Sequence, residues 1–169
     1  MHRALRSERV ETLYFDIVQF LYHLALAILV GGGLVLGAAA APAIFKTVSS
    51  RGEAGSIFGN ILARWDGLAI LCVIVLVVAS ALRAGFEITG TPDLRLWVRW
   101  AALALLCAAV LYSSGWASPV ARSLRAQTPA WDDLPESAPL RREFAKLHAS
   151  SSRAMRLGVL AGLVALFLS

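Results

Sequence analysis

Cysteine is almost missing from this 169-residue chain: only Cys72 and Cys107 occur, both inside apolar runs, with no C-x-x-C pair and no zinc-type spacing. Their placement says nothing about a redox compartment. Also absent are a P-loop, a G-x-S-x-G elbow, an H-E-x-x-H pair and a dinucleotide fingerprint. The glycine triplet at 31–33 lies in a hydrophobic stretch, where it cannot cradle a phosphate. Charge is sparse at 16%, and acidic residues are outnumbered 11 to 16, which leaves a net charge of +5. No RNA- or DNA-binding motif accompanies that excess, and the basic residues flank apolar runs. Anionic lipid head groups, rather than nucleic acid, are the partner this pattern implies.

What fills the chain instead is hydrocarbon. Hydrophobic residues make up 58% of it, and a mean hydropathy of +0.68 is too high for a soluble globule of this size. Several runs approach the about 20 residues needed to cross a bilayer core of roughly 30 Å. Ala, Leu, Val and Gly dominate them, and small residues let membrane helices pack closely. The expected fold is all-α: one polytopic domain, a bundle of four transmembrane helices with amphipathic interfacial segments. Arginines, an apolar run and then "AAAAPA" at 38–43 imitate a signal peptide. However, the run from Leu13 to Ala41 exceeds an h-region of about 7–15 residues, and Glu8 and Glu11 interrupt the basic part, so an uncleaved first helix is expected.

The four expected spans cover about 13–41, 65–83, 96–116 and 148–168. The first, with Ser7 as a candidate N-cap, is longer than the bilayer is thick, so it tilts or projects at one end. Gly33 and Gly37 form a G-x-x-x-G that admits another backbone, within the chain or in a second membrane protein or copy. Pro42 is expected to end or kink this helix. A short interfacial turn or helix follows. Ser50 and Glu53 then fit a capping box that starts the next helix near Gly52, with Trp65 as its interfacial anchor. Gly90 and Pro92 mark a hairpin connection, and the third span begins near Leu94, edged by Trp97 and Trp100. After Pro119, "VARSLRAQ" reads as a helical continuation in the interface. The segment at about 128–138, with Pro129, Pro135 and the acidic Asp132, Asp133 and Glu136, is the extramembrane loop. Ser137 and Pro139 then restart a helix that runs to the C-terminus. Lysines and arginines number ten on the side of the first and third loops and six on the other. Setting aside Arg153 and Arg156 leaves eight against six, so the count does not fix an orientation.

The last span carries its own puzzle. Only Leu157 to Ser169 is purely apolar, thirteen residues, so spanning must draw in His148, Ser150 to Ser152, Arg153 and Arg156. Phe144, His148, Ser151 and Met155 share a helical face, with Ser152 one turn beyond His148 and the two arginines beside it. One reading makes this a polar pocket for an anionic or metal-bearing ligand. The other lets the arginines snorkel while His148 and the serines bond neighbouring helices. In the first span, Asp16, Gln19 and His23 fall on one face at i, i+3 and i+7. They mark either a ligand or proton-handling site, or an interfacial pair plus one interhelical hydrogen bond. The candidate ligand-binding residues are thus His148, His23, Ser151, Ser152, Arg153, Arg156 and Asp16.

A shared metal between the two histidines fails on depth. His23 lies roughly 15 Å inward from the start of the first helix, and His148 roughly 30 Å from the end of the last. If those two helix ends share a surface, the mismatch of roughly 15 Å is too great for one ion bound at about 2 Å. Cys72 and Cys107 stand roughly level and would suit copper, but they read first as small apolar core residues. No catalytic residue and no cofactor is assigned, with haem or copper kept as alternatives.

Three stretches together resemble the family of small bacterial and eukaryotic membrane proteins named after transmembrane protein 205. They are "GGGLVLGAAAAPAIF" (31–45), "EAGSIFGNILARWD" (53–66) and "EFAKLHASSSRAM" (143–155). The similar pattern maps to Pro42 and Phe45, to Ala54, Gly55 and Gly59, and to Phe144, Leu147, His148 and Ser151. The resemblance implies a four-helix membrane domain with no established reaction, and hints at metal or small-molecule handling. More distantly, His23 ahead of Gly31 and Pro42 is similar to bacterial four-helix families for copper uptake and protoporphyrinogen oxidation. The expectation is a non-enzymatic, multi-pass protein of the bacterial inner membrane that binds a small ligand, metal or lipid in its helix bundle. A haem-linked oxidoreductase using His23 or His148 and a structural accessory subunit are the alternatives.

Overall fold

The computed structural model describes residues 2–88, 93–128 and 131–169; for residues 2–10, Phe86 and Asp132 it describes the backbone alone. Gly90, Pro92 and Pro129 therefore lie outside the described residues, as does the side chain of Ser7. Helix α1 (His2–Val35) runs through a π-helical turn (Leu36–Ala40) into α2 (Ala41–Thr47). Helix α3 (Arg51–Glu87) returns, and α4 (Leu94–Tyr112) passes through a second π-helical turn (Ser113–Ala117) into α5 (Ser118–Ala126). A 3₁₀ turn (Trp131–Asp133) precedes α6 (Pro139–Phe167).

Three of these rods are long and apolar enough to cross a membrane: Glu11–Thr47, Arg51–Gly85 and Leu94–Ala126. Four were expected; among the described residues α6 does not meet that measure, because charged and hydroxylated residues fill its first half. Helix α6 nevertheless packs along α4 and α1, while α1 also packs along α3.

Each rod buries one stripe at helical spacing. Helix α1 contributes Val18, Tyr22, Leu26 and Leu29, α3 contributes Ala69, Cys72, Val73 and Leu76, and α4 contributes Ala102, Leu103 and Leu106. Helix α6 buries only small residues: Ser151, Gly158, Ala161, Gly162 and Ala165. Leu157, Leu160, Leu163, Val164 and Phe167 are exposed on its outer side, while Val159 packs partly against the core. The glycines permit the close approach. A Cβ on Gly162 would stand 2.5 Å from Val30 Cγ2, and one on Gly33 would stand 2.7 Å from Val159 Cγ2. Cys72 and Cys107 are free thiols in this packing.

The helix starts follow their caps. Ser50 Oγ accepts from the Glu53 amide at 3.3 Å, as the capping box requires. Asp93 does the same for Leu96 at 2.8 Å. Helix α6 opens on Pro139, but the N-cap position falls on Ala138, with no side-chain cap, rather than on Ser137.

Pro42 does not end its rod, which continues helical to Thr47. Proline lacks an amide hydrogen and its ring crowds the carbonyl four residues back. The preceding turn widens instead, so that the Ala41 amide reaches back five residues to Leu36 O. Pro119 repeats the device, with the Ser118 amide on Ser113 O. Trp65 is partly buried against the core: its indole lies over Gly32, where an added Cβ would clash with it.

Candidate functional site

Both widened turns face the same space. A cavity of about 680 Å³ lies among the C-terminal end of α1, α2, the first half of α3, the Ser113–Ala117 turn and the middle of α6. Leu36, Phe45, Phe58, Leu62, Trp65, Met155 and Val159 give it apolar walls. Leu34, Phe45 and Leu160 line it and are also exposed, so it opens sideways onto the apolar flank of the molecule.

One part of the lining is polar. Ser151 Oγ is buried and hydrogen-bonds Ser113 Oγ at 2.8 Å and Ser118 Oγ at 3.1 Å. Ser114 and Ser152 line the same wall. Asp66, in the cavity wall, accepts through Oδ2 from Arg122 Nη1 at 2.5 Å, which ties α3 to α5. The carboxylate is 8% exposed and the guanidinium 30%, so the charge is neutralised where the aspartate is dry. Arg125 Nη2 donates to Gly52 O at 2.8 Å and adds a second tie between these helices.

His148 sits at the polar rim. Its ring stacks flat on Phe144, centroids 6.0 Å apart, and Phe144 in turn meets Trp131 edge-on at 5.2 Å. The Arg156 Nε donates to Ser152 O at 3.3 Å. Of the seven candidates from the sequence, His148, Ser151, Ser152 and Arg156 line this one cavity. Arg153 is exposed on α6 and does not line it, and Asp16 is exposed on α1.

His23 lies elsewhere. Its Nδ1 hydrogen-bonds Gln19 O at 2.9 Å and its Nε2 meets Ser169 Oγ at 3.2 Å. The end of α6 is therefore level with His23, not with the start of the first span, which projects beyond it. The separation between the two histidines grows accordingly, to about 30 Å along α6. Among the described residues no three His, Cys, Asp or Glu side chains cluster so as to hold a metal ion.

Asp66, Ser113, Ser114 and Ser118 line the cavity without being candidates from the sequence, and Arg122 pairs with Asp66. The signal for Asp66 was present: a carboxylate directly after Trp65, inside a run that must be buried. Its partner lies 56 residues away and leaves no local pattern.

The chain matches the family model described as "Domain of unknown function (DUF4149)" over residues 24–130. The match spans the glycine-bearing stretch at 31–45 and the segment at 53–66, and stops before the stretch at 143–155. No curated protein matches, and no solved structure does.

Proposed function

We propose that this chain, which belongs to the DUF4149 family of unknown function, is an integral membrane protein that holds a small amphiphile in its side-opening cavity. The observation that carries this reading is the division of one 680 Å³ space into apolar walls and a hydroxyl-rich polar end. An acyl or isoprenoid tail would lie against Phe45, Phe58, Leu62 and Val159. Its head would meet Ser114, Ser151, Ser152 and His148. A lateral mouth suits a ligand that arrives from the bilayer, where the tail is already dissolved and gains little by transfer. Specificity then rests on the polar end, because a hydroxyl cluster in a dry site strongly favours a ligand that satisfies it.

In this reading α6 is a fourth span. Small residues inward and large aliphatic ones outward is the order of a helix that faces lipid, and water would favour the reverse. The finer likeness to the transmembrane protein 205 family, a bacterial inner-membrane location and a non-enzymatic role belong to the same proposal.

Mass spectrometry of the intact protein released from native-lipid nanodiscs tests it. The reading expects a retained amphiphile near one per chain, lost when Gly37→Phe places a ring at the mouth. A protein that sheds every bound mass as readily as the variant would sink the reading. Gly37 suits the test because a Cβ there meets nothing within 4 Å.

A further inference from the structure

A second polar cluster lies at the opposite end of the molecule, where α3 ends and α4 begins. Arg83 and Arg99 are both more than nine-tenths buried. Glu87 lies between them. Arg83 binds its Oε1 through Nη2 at 2.8 Å and Nε at 3.1 Å, and Arg99 Nη2 binds its Oε2. The Arg83 guanidinium also covers the Tyr22 ring, 4.3 Å from its centroid.

The cluster is incomplete in two ways. Among the described residues its charges do not balance, since two guanidiniums face one carboxylate. Its hydrogen bonds do not close either: among the described residues Arg83 Nη1, Arg99 Nε and the Tyr22 hydroxyl are buried without a partner. A buried guanidinium with open donors is costly. Three donors and one surplus positive charge are what a single phosphate-type oxyanion would satisfy.

We propose that Arg83, Arg99 and Tyr22 form a binding site for one phosphate-type oxyanion, with Glu87 as its outer edge. The Glu87 side chain is 19% exposed, so it stands between the site and the surface and turns outward to admit the anion. Depth favours a phosphate carried by a lipid as much as a free one. Arg83 lies four residues before the end of α3 and Arg99 five after the start of α4. That places both within roughly 6–8 Å of the helix ends, where lipid phosphates reside.

The test is thermal unfolding of the whole protein in maltoside micelles, with two arms. One arm adds inorganic phosphate against chloride at matched ionic strength. The other adds phosphatidylglycerol against digalactosyldiacylglycerol, which has no phosphate. Stabilisation by inorganic phosphate identifies a free anion as sufficient, and stabilisation by the phospholipid alone identifies a head group; either supports the site. Arg95→Gln, an exposed neighbour on α4, should leave the response unchanged. Tyr22→Phe keeps the ring under Arg83 and should weaken apparent affinity about threefold to tenfold, the effect of one neutral hydrogen bond. Glu87→Gln removes the competing charge and should tighten it. No response in either arm, or a response that Tyr22→Phe and Glu87→Gln leave untouched, would overturn the proposal and make the cluster a water-filled structural contact.

Discussion

Arg122→Gln should be among the most damaging single changes outside the packed core, and the reason is Asp66 rather than Arg122. The substitution leaves a carboxylate that is 8% exposed without its cation, in a wall shared with Trp65 and the serines. Breaking a buried pair from one side costs about 3–5 kcal/mol. Arg122 itself is 30% exposed, so solvent screens part of the interaction and the low end, about 3 kcal/mol, applies. For a chain of this length that is a fall of about 6–12 °C in Tm. Asp66→Asn should cost less, about 1 kcal/mol, since the freed guanidinium can turn toward water. The double variant should then resemble Asp66→Asn alone, which gives a coupling energy of about 3 kcal/mol in magnitude. Unfolding in nanodiscs, followed by tryptophan fluorescence, provides the cycle; Trp65 stands one residue from the perturbation. Single-variant costs below about 1 kcal/mol, or costs that simply add in the double variant, would refute the argument.

Glycine packing predicts opposite signs for one chemical change. Gly162→Ala drives a Cβ into Val30 and should lower Tm, because overpacking of about 1–3 kcal/mol outweighs a helix-propensity gain of about 1 kcal/mol. Gly37→Ala meets open space and should raise it slightly. Ser50→Ala should cost about 1 kcal/mol and speed amide exchange in the first turn of α3, where the Glu53 amide loses its acceptor. Ser151→Ala should destabilise more than Ser152→Ala, since only Ser151 joins two other buried or half-buried hydroxyls; thermal melts of the two variants decide it.

Local chemistry was legible where it is local. Ser50 and Glu53 announce the start of α3, and the face shared by His148, Ser151 and Met155 follows from helical spacing alone; the structure turns it into one cavity wall. Pro42 does not end its rod because its penalty falls on an ordinary α-turn, and a π-turn avoids it. The seat of Trp65 over Gly32 depends on how α1 and α3 pack and leaves no local pattern. The tie between Asp66 and Arg122 joins helices that no sequence window brings together, and that of Glu87 to Arg99 depends on how α3 and α4 pack. The level of His23 depended on where α6 ends against α1, a relation set by packing rather than by either helix alone.

The cavity reading meets its most direct test in photo-crosslinking with a lipid that carries a diazirine on its acyl tail, followed by mapping of the adducts. If the bundle holds an amphiphile, adducts concentrate on Phe58, Leu62 and Met155, and Gly37→Phe removes them while the outer belt at Leu68, Leu71 and Leu105 still labels. Adducts confined to that outer belt, in the natural protein and the variant alike, would contradict it.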